Sequence, residues 1–232
     1  MKYSRFTSLL ILIYLNLIVS MKIFSPSVAR NKDPILEKLK IEIKELRNKL
    51  SIKDDSNTPI NCIEVASGAG EHAAYFTSNL SNFIIQPVEP DASMSDSIEA
   101  WSKDNNAHVL PPIITDIRTF KSIDVPLNFK THCMICINMI HISEYNCTEA
   151  LFGVAYRLLP THGCLYTYGP YKENNTMCES NIVFDTSLKT RNTLWGIREI
   201  EAVMKTASNT GFRLKKRYEC PANNLLLVWE KQ

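Results

Sequence analysis

Between Asp54 and Ser102 the chain has no lysine and no arginine, although the 232-residue sequence carries 26 of them. A ligand built around phosphate usually meets a side-chain cation, so the gap disfavours such a ligand wherever these residues form a site. Other shortages exclude more. Glycine (7) and proline (11) are too few for a low-complexity chain. A formal net charge of +2 gives no electrostatic footprint for nucleic acid, and the run Lys215, Lys216, Arg217 reads as a solvated strand edge. The seven cysteines are an odd number without the dense spacing of a disulfide scaffold, which fits a reducing, cytoplasmic setting. Cys133 and Cys136 spell C-x-x-C inside "HCMICINMI", where a period-2 strand turns them to opposite faces. They are expected as core thiols, and with no second Cys/His pair at zinc spacing no metal is expected.

The apolar run near the N-terminus, "LLILIYLNLIV", falls short of the ~20 residues a spanning helix needs. With Lys2 and Arg5 ahead of it, the stretch 1–24 reads as a leader: a secretory signal, a weak anchor, or an extension preceding a start at Met21. Membrane contact is expected only if that leader is retained. The rest, 25–232, is long enough for one domain with a full core.

Within that domain, Ile35, Leu36, Leu39, Ile43, Leu46 and Leu50 recur at helical steps, with Asp33 as the expected cap and Pro34 in the first turn. Strand and helix then alternate: "INCIEVA", "EHAAYFTSNL", "NFIIQPVE", "SDSIEAWSKDN", "HVLPPIITD", "HCMICINMI", "CTEALFGVAYRLLP", "CLYTYGP". The segment from Tyr171 to about Trp195 has few periodic apolar residues and is expected to be a lid or substrate loop. "REIEAVMKTASNTG" is a further helix. "FRLKKRYE" and "LLLVWEKQ", joined by "CPANN", are too close for a crossover and must pair antiparallel. The expected fold is α/β, a doubly wound, mostly parallel sheet with an antiparallel C-terminal hairpin.

Gly68-x-Gly70-x-x-Ala73 matches a dinucleotide-type turn between strand and helix, and Glu89 stands about twenty residues on, where a ribose hydroxyl partner belongs. The motif leaves the ligand open between pyrophosphate and the carboxylate of an amino acid. The cation-free window holds eight acids, Asp54, Asp55, Glu64, Glu71, Glu89, Asp91, Asp96 and Glu99. Carboxylates suit a sulfonium with an ammonium group, so the window favours S-adenosylmethionine over a nicotinamide cofactor.

"SPSVARNKDPIL", "EVASGAGEHAAYF", "CINMIHIS", "YGPY", "SNIVFD", "WGIREI" and "PANN" together resemble the methyltransferase-like protein 26 family, a branch of class I S-adenosylmethionine-dependent methyltransferases. The likeness runs from about residue 25 to 232. It implies a Rossmann-like sheet of seven strands with the last antiparallel, and a methyl transfer to an unidentified, small acceptor. In the cofactor site it implies Glu64 beside the turn, Gly68 and Gly70 under the methionine part, Glu89 on the ribose, Asp116 facing adenine and Asn138 near the sulfonium. His72 stands where class I enzymes often carry a third glycine.

Methyl transfer needs an aligned nucleophile and, where it is protonated, a base. His141 is the candidate base, since an imidazole accepts a proton near neutrality; a histidine after a buried strand also serves as a packed residue. Tyr168, Tyr171 and Asp185 are candidates for the acceptor site, where aromatic walls beside a carboxylate would suit a partly apolar or cationic acceptor. Arg30 and Asn31 are placed as an N-terminal flap over the donor. Two other functions remain open: a methyltransferase-like protein without catalysis that works through a protein partner, and an NAD-dependent oxidoreductase. Oligomeric state is not legible.

Overall fold

The computed structural model describes residues 21–53, 58–104 and 106–232. The leader before Met21, and with it any signal or anchor, lies outside the described residues. Among those described, no helix is long and apolar enough to cross a membrane.

The first helix, α1, spans Pro26–Lys49 and not the shorter stretch expected from Asp33. Pro26 supplies the same first-turn signal eight residues earlier, and Pro34 lies inside the helix. Asp33 is then no cap; its carboxylate accepts a hydrogen bond from Tyr75. There follow β1 (Ile60–Val65), α2 (Glu71–Asn79), β2 (Phe83–Glu89), α3 (Ser95–Ser102), β3 (Ile113–Ile114) and β4 (Cys133–Ile137). Beyond these come α4 (Tyr145–Leu158), β5 (Cys164–Lys172), α5 (Glu179–Arg191), β6 (Arg198–Glu199), α6 (Ile200–Asn209), β7 (Phe212–Cys220) and β8 (Asn224–Lys231).

Two expectations need correction. "HVLPPIITD" forms only the two-residue β3 plus a bridge from Val109 to Ile85, because Pro111 and Pro112 have no N–H to offer a ladder. The segment from Tyr171 to Trp195 is no lid loop: β5 runs on to Lys172 and α5 occupies half of the remainder. Its buried positions are Asn181, Asp185 and Leu188, two of them polar, so no apolar stripe announced a helix.

The strand order is β3-β2-β1-β4-β5-β8-β7, with β6 pairing the end of β5 as a short eighth strand off that path. Pairings from β3 to β5 are parallel, and β8 runs antiparallel between β5 and β7. The order reverses between β1 and β4, which opens a crevice at their carboxyl ends.

Both sheet faces are covered. One carries α1 and α2, through Ile35, Leu39, Leu46 and Phe76; the other carries α4 and α6, through Leu151, Phe152, Val203 and Ala207. Cys133 joins the first core and Cys136 the second, so the pair does face opposite ways, and all seven cysteines are free thiols. Trp229 of β8 is fully buried; it meets Phe152 edge to face at 5.4 Å and donates from Nε1 to Thr167 Oγ1 at 3.0 Å.

The basic run does lie on the edge strand β7, with Arg217 exposed, but its two lysines are engaged with α1. Glu42 of α1, fully buried, receives Lys215 at 3.2 Å, Lys216 at 3.0 Å and the Tyr218 hydroxyl, while Glu45 pairs with the same two lysines. Removing one partner of a buried pair strands the others, a loss of several kcal/mol in closed sites and less where the lysines reach solvent. Glu42→Ala is expected to lower unfolding stability by about 2 kcal/mol, and Glu45→Ala by under about 0.5 kcal/mol, as read from urea midpoints.

Candidate active site

The turn after β1 is built from backbone demands. Ala66 leaves the strand with φ 56, a left-handed conformation that costs an alanine roughly 1 kcal/mol, and Gly68 and Gly70 follow at φ 55 and φ 88. A Cβ at Gly70 would lie 2.9 Å from the Ile98 backbone, so glycine lets α3 close on the turn; at Gly68 there is open space within 4 Å. The Gly68 N–H donates to Glu89 Oε2 at 2.7 Å, and the Asp91 N–H donates to Oε1 at 3.0 Å. One strand-end carboxylate thus ties two loops together. Burial raises its pKa, and the two backbone donors partly offset that rise.

Above this tie lies a cavity of about 390 Å³ at the ends of β1 to β4. Its walls include Ala66, Gly68, Glu89, Asp116 and the apolar side chains Ile117, Met139 and Ile142, with Trp195 contributing from beyond α5. The crevice is not free of cations, because Arg118 enters from outside the cation-free window. It grips Asp116 through Nε at 2.9 Å and Nη2 at 2.7 Å, holding that carboxyl below its ordinary pKa, and lies 3.6 Å from Glu144. Three carboxylates against one guanidinium leave the crevice negative. Asp116 lines it with its oxygens already engaged by Arg118.

Glu64 sits on the opposite face of β1 from Ile63 and Val65 and is 1% exposed. Its Oε2 has no hydrogen-bond partner among the described residues. Burial lifts its pKa to about 8, and the charge of Glu89 pushes the same way. His72 is the second residue of α2, in ordinary helix; its Nε2 meets Asn31 Oδ1 at 2.8 Å and its ring stacks on Phe76. Burial brings its pKa down to about 3. It fastens α1 to α2.

A second cavity, of about 710 Å³, adjoins the first across Ile142. Asn138, His141 and Tyr168 form its floor at the ends of β4 and β5, α5 brings Asn181, Phe184 and Arg191, and α1 brings Arg30 and Asn31. Asn138 has φ 61, and its N–H bonds to Tyr168 O at 2.8 Å, which turns the chain so that His141 faces the cavity. The His141 imidazole fits because residue 169 is glycine: a Cβ there would stand 3.0 Å from Nδ1. The ring meets Phe184 edge-on at 5.6 Å and makes no hydrogen bond with a described residue. Burial, then the charges of Arg198 and Arg191, hold its pKa down to about 4, so the imidazole is neutral at pH 7.

Two sequence candidates lie elsewhere. Tyr171 is packed in the core among the α4 and α6 contacts, its hydroxyl donating to Thr167 Oγ1 at 2.9 Å, and burial raises its pKa. Asp185 accepts the Ile197 N–H at 2.7 Å and an ion pair from Lys189, which commits both oxygens to holding α5. Arg30 and Asn31, placed from sequence as a flap over a donor, line the second cavity and not the crevice beside Gly68. Sequence reading missed Arg191, Asn181 and Trp195, which lie in the segment read as a loop.

A family model described as "Protein of unknown function (DUF938)" matches residues 22–231. The chain belongs to this family. The DUF938 fold is also that of solved methyltransferases. Mitomycin 7-O-methyltransferase MmcR superposes with a TM-score of 0.63 at 10% identity, over 83% of this chain and 54% of that one. CalO1, a methyltransferase in calicheamicin biosynthesis in its SAH-bound form, gives 0.63 at 12% identity over 90% and 61%. Magnesium protoporphyrin IX methyltransferase (ChlM) from Synechocystis PCC 6803 with bound SAH gives 0.62 at 10% identity over 87% and 82%. The chain spans about half the length of the mitomycin enzyme. These likenesses establish the Rossmann-like class I methyltransferase fold.

Glu64 has a stability consequence with a definite sign. Its folded pKa, about 8, exceeds the ordinary carboxyl value, so the folded state holds a proton that the unfolded state releases. That contribution is full below the unfolded pKa and is lost as pH rises through about 8. Between pH 5 and pH 8 the wild type is therefore expected to lose about 3 kcal/mol relative to Glu64→Gln, which carries no titrating group. Paired urea titrations at both pH values check this, since the difference cancels the histidines' contributions.

Proposed function

We propose that this DUF938 protein is an S-adenosylmethionine-dependent methyltransferase acting on a small molecule, as its resemblance to the methyltransferase-like protein 26 family implies. One observation carries the reading. A strand-end carboxylate, Glu89, lines the crevice at the sheet's switch point and is locked to the Gly68 N–H, at the place where such folds bind their ligands. One observation supports the fit: the space open above Gly68 leaves room for a chain to pass. Glu64, expected beside the turn, lines neither cavity. Glu89 would take the ribose hydroxyls, Asp116 and Ile117 the adenine edge, and Gly68 and Gly70 the methionine part, with Asn138 near the sulfonium. When bound, the donor supplies an already activated methyl group.

The rest falls to this chain's own residues. Ile142 lines both cavities and presents an apolar side chain at their boundary. His141, neutral at pH 7, accepts a proton from an acceptor hydroxyl or thiol in the second cavity. Tyr171 and Asp185 are not proposed as catalytic, because their polar atoms are occupied in packing. The free thiols suit a cytoplasmic protein. A second reading, donor binding without turnover through a protein partner, draws on the exposed apolar surface of α5, where Ile182 is 50% and Val183 66% accessible.

Thermal titration separates the cofactors. S-adenosylhomocysteine at ~100 times its dissociation constant is expected to stabilise the protein by about 2.7 kcal/mol, with no shift from NAD or NADP. A shift from NAD alone would replace the reading by an oxidoreductase. By calorimetry, Glu89→Ala is expected to weaken S-adenosylhomocysteine binding at least about tenfold, the loss of one charge-assisted contact. Asp91→Ala is expected to change it less than about twofold, because the Asp91 side chain only caps the Ser93 N–H at 2.9 Å. His141→Gln should leave that affinity within about twofold, and equal losses in all three variants would mean the donor is held elsewhere.

A further inference from the structure

From the charge pattern of the second cavity we infer that the methyl acceptor is an anion, a small molecule carrying a carboxylate or phosphate group seated between Arg30 and Arg191. The inference rests on the methyltransferase reading for the word acceptor, but the anion site stands on its own geometry. None of the side chains lining this cavity is Asp or Glu. Its polar lining consists of two arginines, four asparagines, two serines, His141 and Tyr168. Asp185, the carboxylate that the sequence suggested for a cationic acceptor, is tied to Ile197 and Lys189 and does not line it.

Both arginines are uncommitted in charge. Arg118, Arg213 and Arg217 each lie within 3.3 Å of a carboxylate. The Arg30 guanidinium makes no hydrogen bond or ion pair with any described residue. Arg191 contacts only its own helix at the Ser187 carbonyl, 3.4 Å away, and the Trp195 ring at 5.5 Å. The two stand on different elements, α1 and α5, and act on opposite parts of the floor: Arg30 bears on the Tyr168 hydroxyl, Arg191 on the His141 imidazole. An anion between them gains two charge-assisted partners, and the asparagine amides offer further donors. It also has a chemical effect, since negative charge beside His141 offsets the cations that add to burial in holding the imidazole's pKa down. The acceptor would bring charge that strengthens its own base.

The test uses the full chain, with and without saturating S-adenosylhomocysteine, and four matched probes: benzoate, phenyl phosphate, benzamide and benzylamine. Binding is read from the His141 ring resonance in NMR titrations. The expected result is saturable shifts with benzoate or phenyl phosphate at dissociation constants at least about tenfold below that of benzamide, and none with benzylamine. The preferred anion identifies the group. Arg30→Gln with Arg191→Gln should raise the anion's constant about tenfold or more, while Lys40→Gln, an exposed lysine of the same helix outside the cavity, changes it less than about twofold. Affinity for S-adenosylhomocysteine should be unchanged in the double variant. Equal binding of benzamide, binding of benzylamine, an unaltered constant in the double variant, or no shift of His141 with either anion would each overturn the inference. Failure of S-adenosylhomocysteine to bind the wild type would overturn the methyltransferase reading instead, leaving anion selectivity readable on the ligand-free protein.

Discussion

The hydrogen bond from the Gly68 amide to the Glu89 carboxylate closes a problem that every parallel sheet of this kind has to solve. A central strand buried on both faces cannot return by a hairpin; it must turn sharply into a helix, and the turn's amides point into the molecule. Here β1 runs out at Val65, Ala66 and Gly68 take left-handed backbone, and the Ser67 and Gly68 amides bond to Val88 O and Glu89 at the end of the neighbouring strand. The same carboxylate holds the Asp91 amide, so the loops after β1 and β2 are set as one unit. The crevice shape, the seating of α2 and the approach of α3 over Gly70 all follow from that arrangement.

From this fixed edge the carboxyl ends of the strands divide into two compartments of opposite sign. Carboxylates predominate around β2 and β3, where Arg118 offsets only part of the charge. Around β4 and β5 the lining contains arginines and amides without an acid. The boundary runs through Asn138 to Ile142, a segment that needs left-handed backbone at its first residue and a glycine opposite it at position 169. His141 belongs to the positive side, where burial first and then the charges of Arg198 and Arg191 keep the imidazole neutral. Charge is thereby sorted by compartment along one sheet edge.

Much of the framework was legible in the sequence because it depends on periodicity and glycine. The alternation of β1, α2, β2 and α3 and the antiparallel closure by β7 and β8 follow from apolar spacing and from the short "CPANN" link. The start of α1 was misread because two prolines, Pro26 and Pro34, give the same local signal, and only packing of Val28 and Asn31 decides between them. Helix α5 was illegible because it buries Asn181 and Asp185 where a typical helix buries leucine. The site suffered in proportion. Tyr171 and Asp185 stand near the cavity in sequence but spend their polar atoms on Thr167 and Ile197, and no spacing rule reveals a side chain's partner. Arg118 lay beyond the window in which cations were counted. Glu89, read from its strand end, lines the first cavity, whereas Asn138, expected beside the donor's sulfonium, lines the second.

The position of β8 has a consequence for biogenesis. It is threaded between β5 and β7, so the inner edge of β5 has no neighbour until residue 224 and those after it have been made. At ribosomal speeds of about 5–20 residues per second, that edge waits roughly 3–10 s. During the wait it presents Leu165, Tyr166 and Thr167, all buried in the finished molecule, as a sticky ladder open to any passing strand. Nascent chains stalled before β8 should therefore be the ones that chaperones have to hold.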